Sequence, residues 1–167
     1  MTGRLLAGGQ GVWYIGPMVR TQIEDLAKKF GITLIYLFGS EAEKGRIFFE
    51  GGEITSTPAS DLDIAVAFEK VPSEPMDVYG RLYNELSEIF HPFHVDLLFV
   101  HDVDTLFRYE VIKGIRIFAS GTFDADAFEE DILKKSEDLF YKKKRLDREI
   151  MEAVENGYIE IEYKPNP

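Results

Sequence analysis

The sequence has no cysteine. That absence removes disulfides, Cys-ligated zinc and thiol catalysis from consideration. Long apolar runs are missing too: no stretch approaches the ~18 residues needed to span a bilayer. The opening segment, Met1 to Gly16, holds one arginine and a glycine-broken apolar stretch, which makes a poor secretory leader. A cytoplasmic chain with no membrane partner is therefore expected. Basic residues are scarce, 19 Lys and Arg against 30 Asp and Glu, so the formal charge is −11. That surplus repels polyanions, which disfavours nucleic-acid polymers and anionic lipid as partners. A template-directed polymerase would need a basic duplex-binding surface, and the chain lacks one. What is present suffices for folding: of 167 residues, 45% are apolar and 13% aromatic, enough for one domain with a substantial core.

The pattern along the chain predicts an α+β domain, with an N-terminal extension over 1–17, the domain proper over 18–154 and a tail over 155–167. Gly16-Pro17 opens a helix whose Val19, Ile23, Leu26, Ala27 and Phe30 recur on one face, and Gly31 follows where a C-terminal cap falls. Ile32 to Phe38 is a β-branched and aromatic run, a buried strand ending in Gly39-Ser40. Between Arg46 and Ser56, two short runs flank Gly51-Gly52, which predicts a β-hairpin. Further strands are expected over Asp61 to Phe68, His94 to Val100 and Ile115 to Ala119. Helices are expected after Pro75, over Val103 to Val111, and over about Asp124 to Val154. The tail from Tyr158 to Tyr163 alternates like an edge strand.

Three features carry chemistry. The first strand runs into Gly39-Ser40, where glycine allows a phosphate close to the backbone and serine offers a hydroxyl and an N–H. A tight turn is the plain alternative, and a helix starting just beyond would add its N-terminal dipole. Asp61 and Asp63 fall on one face of a strand, about 7 Å apart along the chain, and two such carboxylates repel unless a cation or proton intervenes. Hard oxygen ligands of this kind suit Mg²⁺, which takes one or two carboxylates plus substrate phosphates; a solvated strand start is the alternative. Asp96, flanked by apolar residues, is expected in a central strand, where an unpaired charge is costly. A metal shared with Asp61 and Asp63 would satisfy it, as would a salt bridge to Lys or Arg.

Leu37-Phe38-Gly39-Ser40, then Ser60-Asp61-Leu62-Asp63-Ile64-Ala65-Val66, then Val95-Asp96-Leu97-Leu98 resemble the minimal nucleotidyltransferases (MNT proteins) of the DNA polymerase β-like superfamily. The likeness runs from about Met18 to Val154. It implies a mixed β-sheet flanked by helices and ending in a long C-terminal helix. It implies two Mg²⁺ held by Asp61 and Asp63, Asp96 on one of them and acting as base, and Gly39, Ser40 and Ser60 around the triphosphate of ATP. The part from Leu106 through Lys113-Gly114-Ile115 into the last helix is similar to MNT antitoxins paired with HEPN-domain toxins. Those transfer AMP from ATP to a toxin tyrosine, so a HEPN partner and a hetero-oligomer are implied.

The family usually places Arg or Lys directly after Gly-Ser. Here Glu41-Ala42-Glu43 follows, and Lys44 or Arg46 is the candidate substitute. The two glutamates also motivate a non-catalytic antitoxin that works by binding alone. An aminoglycoside-type nucleotidyltransferase is a further alternative, because an acidic surface suits a cationic drug. His91, His94 and His101 lack a metal-ligand pattern and are expected to be ordinary core or surface residues. Residues 142–145 form a basic run on a helix, a solvated face unless an acidic partner or a phosphate uses it.

Overall fold

The computed structural model describes residues 16–54 and 60–158. Helix α1 (Gly16–Phe30) buries Val19, Ile23, Leu26 and Ala27 and stops at Gly31, whose φ of +68° is open to glycine at no steric cost. Strand β1 (Ile32–Phe38) follows and is buried along its length except at Phe38. It lies inside a four-stranded sheet, antiparallel to β2 (Leu62–Phe68) on one side and to β4 (Ile115–Ala119) on the other. Strand β3 (Val95–Phe99) pairs in parallel with β2, so the order is β3-β2-β1-β4 and the sheet is mixed, as expected. A parallel pair needs a crossover, and α3 (Pro75–Ile89) supplies it.

Alternation along the strands sorts the sheet into two faces. Ile35, Leu37, Leu62, Ile64, Val66 and Leu97 pack against α1 and α3 through Ile23, Leu26, Leu82 and Leu86. Each such side chain, fully removed from water, contributes about 1.5–3 kcal/mol. The other face carries Leu34, Tyr36, Ala65 and Ala67, covered by Val111 of α4 (Thr105–Ile112) and by Ala125 and Phe128 of α5 (Ala125–Glu155). Both helices begin with an aspartate cap: Asp104 accepts from the Phe107 N–H and Asp124 from the Ala127 N–H, both at 2.9 Å. Tyr36 donates to Glu129 of α5 at 2.6 Å, and Arg116 of β4 closes on the same carboxylate at 3.0 Å. Burial first, and Glu129 second, push the Tyr36 hydroxyl far above its ordinary pKa, so it remains a donor.

One expectation is overturned. Between β1 and β2 there is no hairpin among the described residues but a helix, α2 (Ala42–Phe49). Ala42, Gly45, Phe48 and Phe49 fall on one helical side and are buried. Gly45 lies so close to the sheet that a Cβ there would come within 2.6 Å of Leu62. Gly51-Gly52 serves as the end of this helix. Gly51 takes φ +85° and donates to the Phe48 carbonyl at 3.0 Å, while Gly52 donates to Ile47 at 2.8 Å. That double closure is a Schellman motif. A glycine pair fits either role, and the apolar run Ile47-Phe48-Phe49 is too short for its period to decide.

The N-terminal extension and the tail strand fall almost wholly outside the described residues. Helix α5 has 31 residues, about 46 Å at 1.5 Å per residue. Ile132 and Ser136 in its first half are buried, whereas Leu139, Tyr141, Leu146 and Met151 further on are exposed. No helix among the described residues is long and apolar enough to cross a membrane.

Candidate active site

The chemistry gathers where β1 ends and β2 and β3 begin. Gly39 ends β1 with φ +73°, and a Cβ there would overlap the Asp63 carboxylate oxygen Oδ2. Glycine is required twice at this point, by the backbone and by the close approach of Asp63. Ser40 follows, and its Oγ lies 2.8 Å from the Ser60 Oγ, which ties the turn after β1 to the residue before Asp61. Helix α2 starts two residues after Ser40, so its first unpaired N–H groups follow this turn directly. The segment between Ser40 and Ser60 thus has its two ends in contact.

Asp63 lies in β2 directly between Phe38 of β1 and Asp96 of β3 in the pairing register. Neighbouring strands lie about 4.8 Å apart, so Asp63 and Asp96 are adjacent carboxylates on one sheet face. Asp61 stands just outside β2, exposed, two positions before Asp63. Burial first, then Asp96, then Asp61 hold the Asp63 carboxyl above the usual carboxylate range. Asp96 corrects its expected setting: β3 is the edge strand rather than a central one, and the residue is exposed. Among the described residues no Lys or Arg forms an ion pair with any of the three aspartates, so the salt-bridge alternative for Asp96 is not realised there.

Asp63, with Asp61 and Asp96 beside it and no Lys or Arg paired to them among the described residues, belongs to a hard-oxygen donor set that suits a divalent metal. Among the described residues no three such groups close tightly enough to enclose an ion unaided. For Mg²⁺ that is compatible with function, because it uses one or two carboxylates and completes its shell with water and substrate phosphates.

Glu41 and Glu43 do not crowd the turn as bare charges. Glu41 is only 4% exposed, turned inward, and pairs with Lys44 at 2.9 Å. Glu43 is held by Arg46, which also pairs with Glu50, and this keeps the Glu43 carboxyl below its ordinary pKa. The same pairs engage Lys44 and Arg46. A cavity of about 340 Å³ opens over Gly39 and Ser40; Glu43, Glu110, Lys113 and Gly114 are among the residues that line it, and neither Lys44 nor Arg46 is. A slightly larger one, about 370 Å³, lies beside Arg20 and Phe49; none of the three aspartates lines either cavity, and only the first borders the Gly39-Ser40 turn.

The sequence reading missed residues that tertiary packing brings to this end. Phe107 meets Phe38 edge-on at 6.0 Å, next to Asp63. Tyr79 and Tyr83 stack at 6.3 Å, and the Asp96 charge is one cause, after burial, of the raised Tyr79 pKa. The two tyrosines stand four apart on a helix, a spacing visible in sequence; the nearness of Tyr79 to Asp96 is not. His91 and His94 are exposed, and His101 packs on the rings of Phe68 and Phe99, 5.7 Å from each.

Residues 21–122 match the family model described as Polymerase beta, Nucleotidyltransferase. A sequence comparison with curated proteins finds no match. Among solved structures, a toxin–antitoxin complex with AMP-PNP aligns with TM-score 0.57 at 21% identity, over 79% of this chain and 98% of that one. A complex of tri-AMPylated Shewanella oneidensis HEPN toxin with MNT antitoxin aligns with TM-score 0.55 at 19% identity, over 81% of this chain and 98% of that one. At such identities the likeness is one of fold.

Proposed function

This chain belongs to the polymerase β nucleotidyltransferase family, and from that premise we propose that it is an antitoxin that transfers AMP from ATP to a tyrosine hydroxyl of a HEPN-domain toxin in the cytoplasm. The observation that carries the reading is the register of Asp63 with Asp96 beside the Gly39-Ser40 turn. The match to nucleotidyltransferases supports the chemistry. The solved complexes of similar fold, one with AMP-PNP and one with an AMPylated HEPN toxin, support the nucleotide and the partner.

In this reading Asp61 and Asp63 are the residues that would hold two Mg²⁺, and Asp96 would bind one of them. A divalent ion held there would neutralise charge developing on the transferred phosphoryl group and on the leaving pyrophosphate. Gly39, Ser40 and Ser60 hold the triphosphate, with backbone and hydroxyl groups as donors. Asp96 is exposed at the sheet edge, open to an incoming acceptor. It takes the proton of the tyrosine hydroxyl as that oxygen bonds the α-phosphorus and the bond to the β-phosphate breaks.

The non-catalytic alternative rested on Glu41 and Glu43; their pairing with Lys44 and Arg46 means that neither faces a phosphate as a bare charge, which supports transfer over occlusion. The test is to incubate the chain with its cognate HEPN protein, ATP and Mg²⁺, and to map the toxin by mass spectrometry. AMP on a tyrosine is the expected result. Neutralisation of the toxin without any added mass would overturn the transfer and restore simple occlusion.

A further inference from the structure

In the family resemblance, a base follows the Gly-Ser turn; in this chain Glu41 stands there, and Lys44 and Arg46 are occupied by carboxylates of their own helix segment. A triphosphate in the cavity over Gly39 and Ser40 still needs a counter-charge. Among the described residues, the one cation lining that cavity is Lys113, at the turn from α4 into β4. It reaches this position because of Gly114. A Cβ on Gly114 would overlap the Leu37 carbonyl oxygen and come within 2.9 Å of the Phe38 Cβ and 3.0 Å of the Val111 carbonyl oxygen. Glycine therefore lets the α4–β4 turn press onto the last residues of β1, one step from Gly39.

Resting on the reading of this site as a nucleotide site, we infer that Lys113 is the cation that holds the triphosphate against the Gly39-Ser40 turn. Its current partner is Glu110 at 2.8 Å, a pair whose side chains are 52% and 55% exposed. Such a pair is weak in water, and a triphosphate carries more negative charge than one carboxylate. The ammonium sits on a flexible four-carbon stem and presents three donors that can turn from Glu110 to the ligand. Glu110 then acts as a placeholder that is exchanged on binding, while Glu43, which also lines the cavity, stays neutralised by Arg46.

Calorimetric titration of the full chain with ATP in the presence of Mg²⁺ tests the assignment without relying on turnover. Lys113→Gln should weaken ATP binding about tenfold, the scale of one lost charge-assisted contact, with an unchanged melting temperature. Lys113→Arg should retain most of the affinity. Glu110→Gln should tighten binding in the native background and lose that gain once Lys113→Gln is added, which is the coupling an exchange requires. Wild-type affinity in Lys113→Gln would overturn the inference, as would an equal Glu110→Gln gain in both backgrounds. Absence of ATP binding by the unaltered chain would instead overturn the nucleotide site itself, and the role of Lys113 with it.

Discussion

Strand β2 puts two regions of the molecule one residue apart. Leu62, Ile64 and Val66 point into the packed face and are fully buried. Asp61 and Asp63 belong to the opposite side and the open end, with no ion-pair partner among the described residues. The first region is stabilised by contact with α1 and α3; the second is left repulsive. The difference teaches that the aspartate end is unfavourable for the free protein, and that the aliphatic face offsets the strain. A site built to receive a cation has this character, and a site built for stability does not.

The contrast can be broken from either side. The largest expected effect is on transfer: Asp63→Asn should lower AMP transfer by roughly 10³-fold or more, the scale of a lost metal ligand. The same substitution should leave the melting temperature in metal-free buffer equal or slightly higher. Ile64→Ala, its next neighbour, should do the reverse. It should destabilise the fold by about 2–5 kcal/mol in denaturant titration, while ATP binding per folded molecule persists. Gly39→Ala joins the two regions, since a methyl group there is strained by φ +73° and overlaps Asp63. It should cost more than about 1 kcal/mol of stability and also impair transfer.

The smallest effect is on pH dependence. The folded-state pKa of Asp63 is raised, so its unfavourable contribution is absent below the ordinary carboxylate range. That contribution appears as pH rises through the ordinary value toward the raised one. Metal-free melting curves of wild type and Asp63→Asn should therefore converge in acid and separate toward neutral pH, with the variant the more stable.

Much of this was legible in the sequence, for physical reasons that differ by residue. Ile32 to Phe38 and Ile115 to Ala119 are compact β-branched or aromatic runs with glycine beside them, and both strands form as expected. Gly39, Ser40, Asp61 and Asp63 could be placed because the strand period and the turn fix them locally. Asp96 could be placed on a strand, but its exposure depends on β3 being the edge, which the order of pairing decides. The α2 segment was misread because Gly51-Gly52 closes a helix as readily as it turns a hairpin. Glu41 is charged in sequence and buried against Lys44 in the fold, and nothing local announces that. Lys113 reaches the cavity only because Gly114 lets one turn settle onto another strand.

The central claim, AMP transfer through the aspartates of β2, is tested most directly with labelled nucleotide. The chain, its cognate HEPN protein and Mg²⁺ are given ATP labelled on either the α- or the γ-phosphate. The account predicts that α-label enters the HEPN protein, that γ-label does not, and that Asp61→Asn and Asp63→Asn each abolish the signal. Incorporation of γ-label, or α-labelling that persists in both variants, would contradict it.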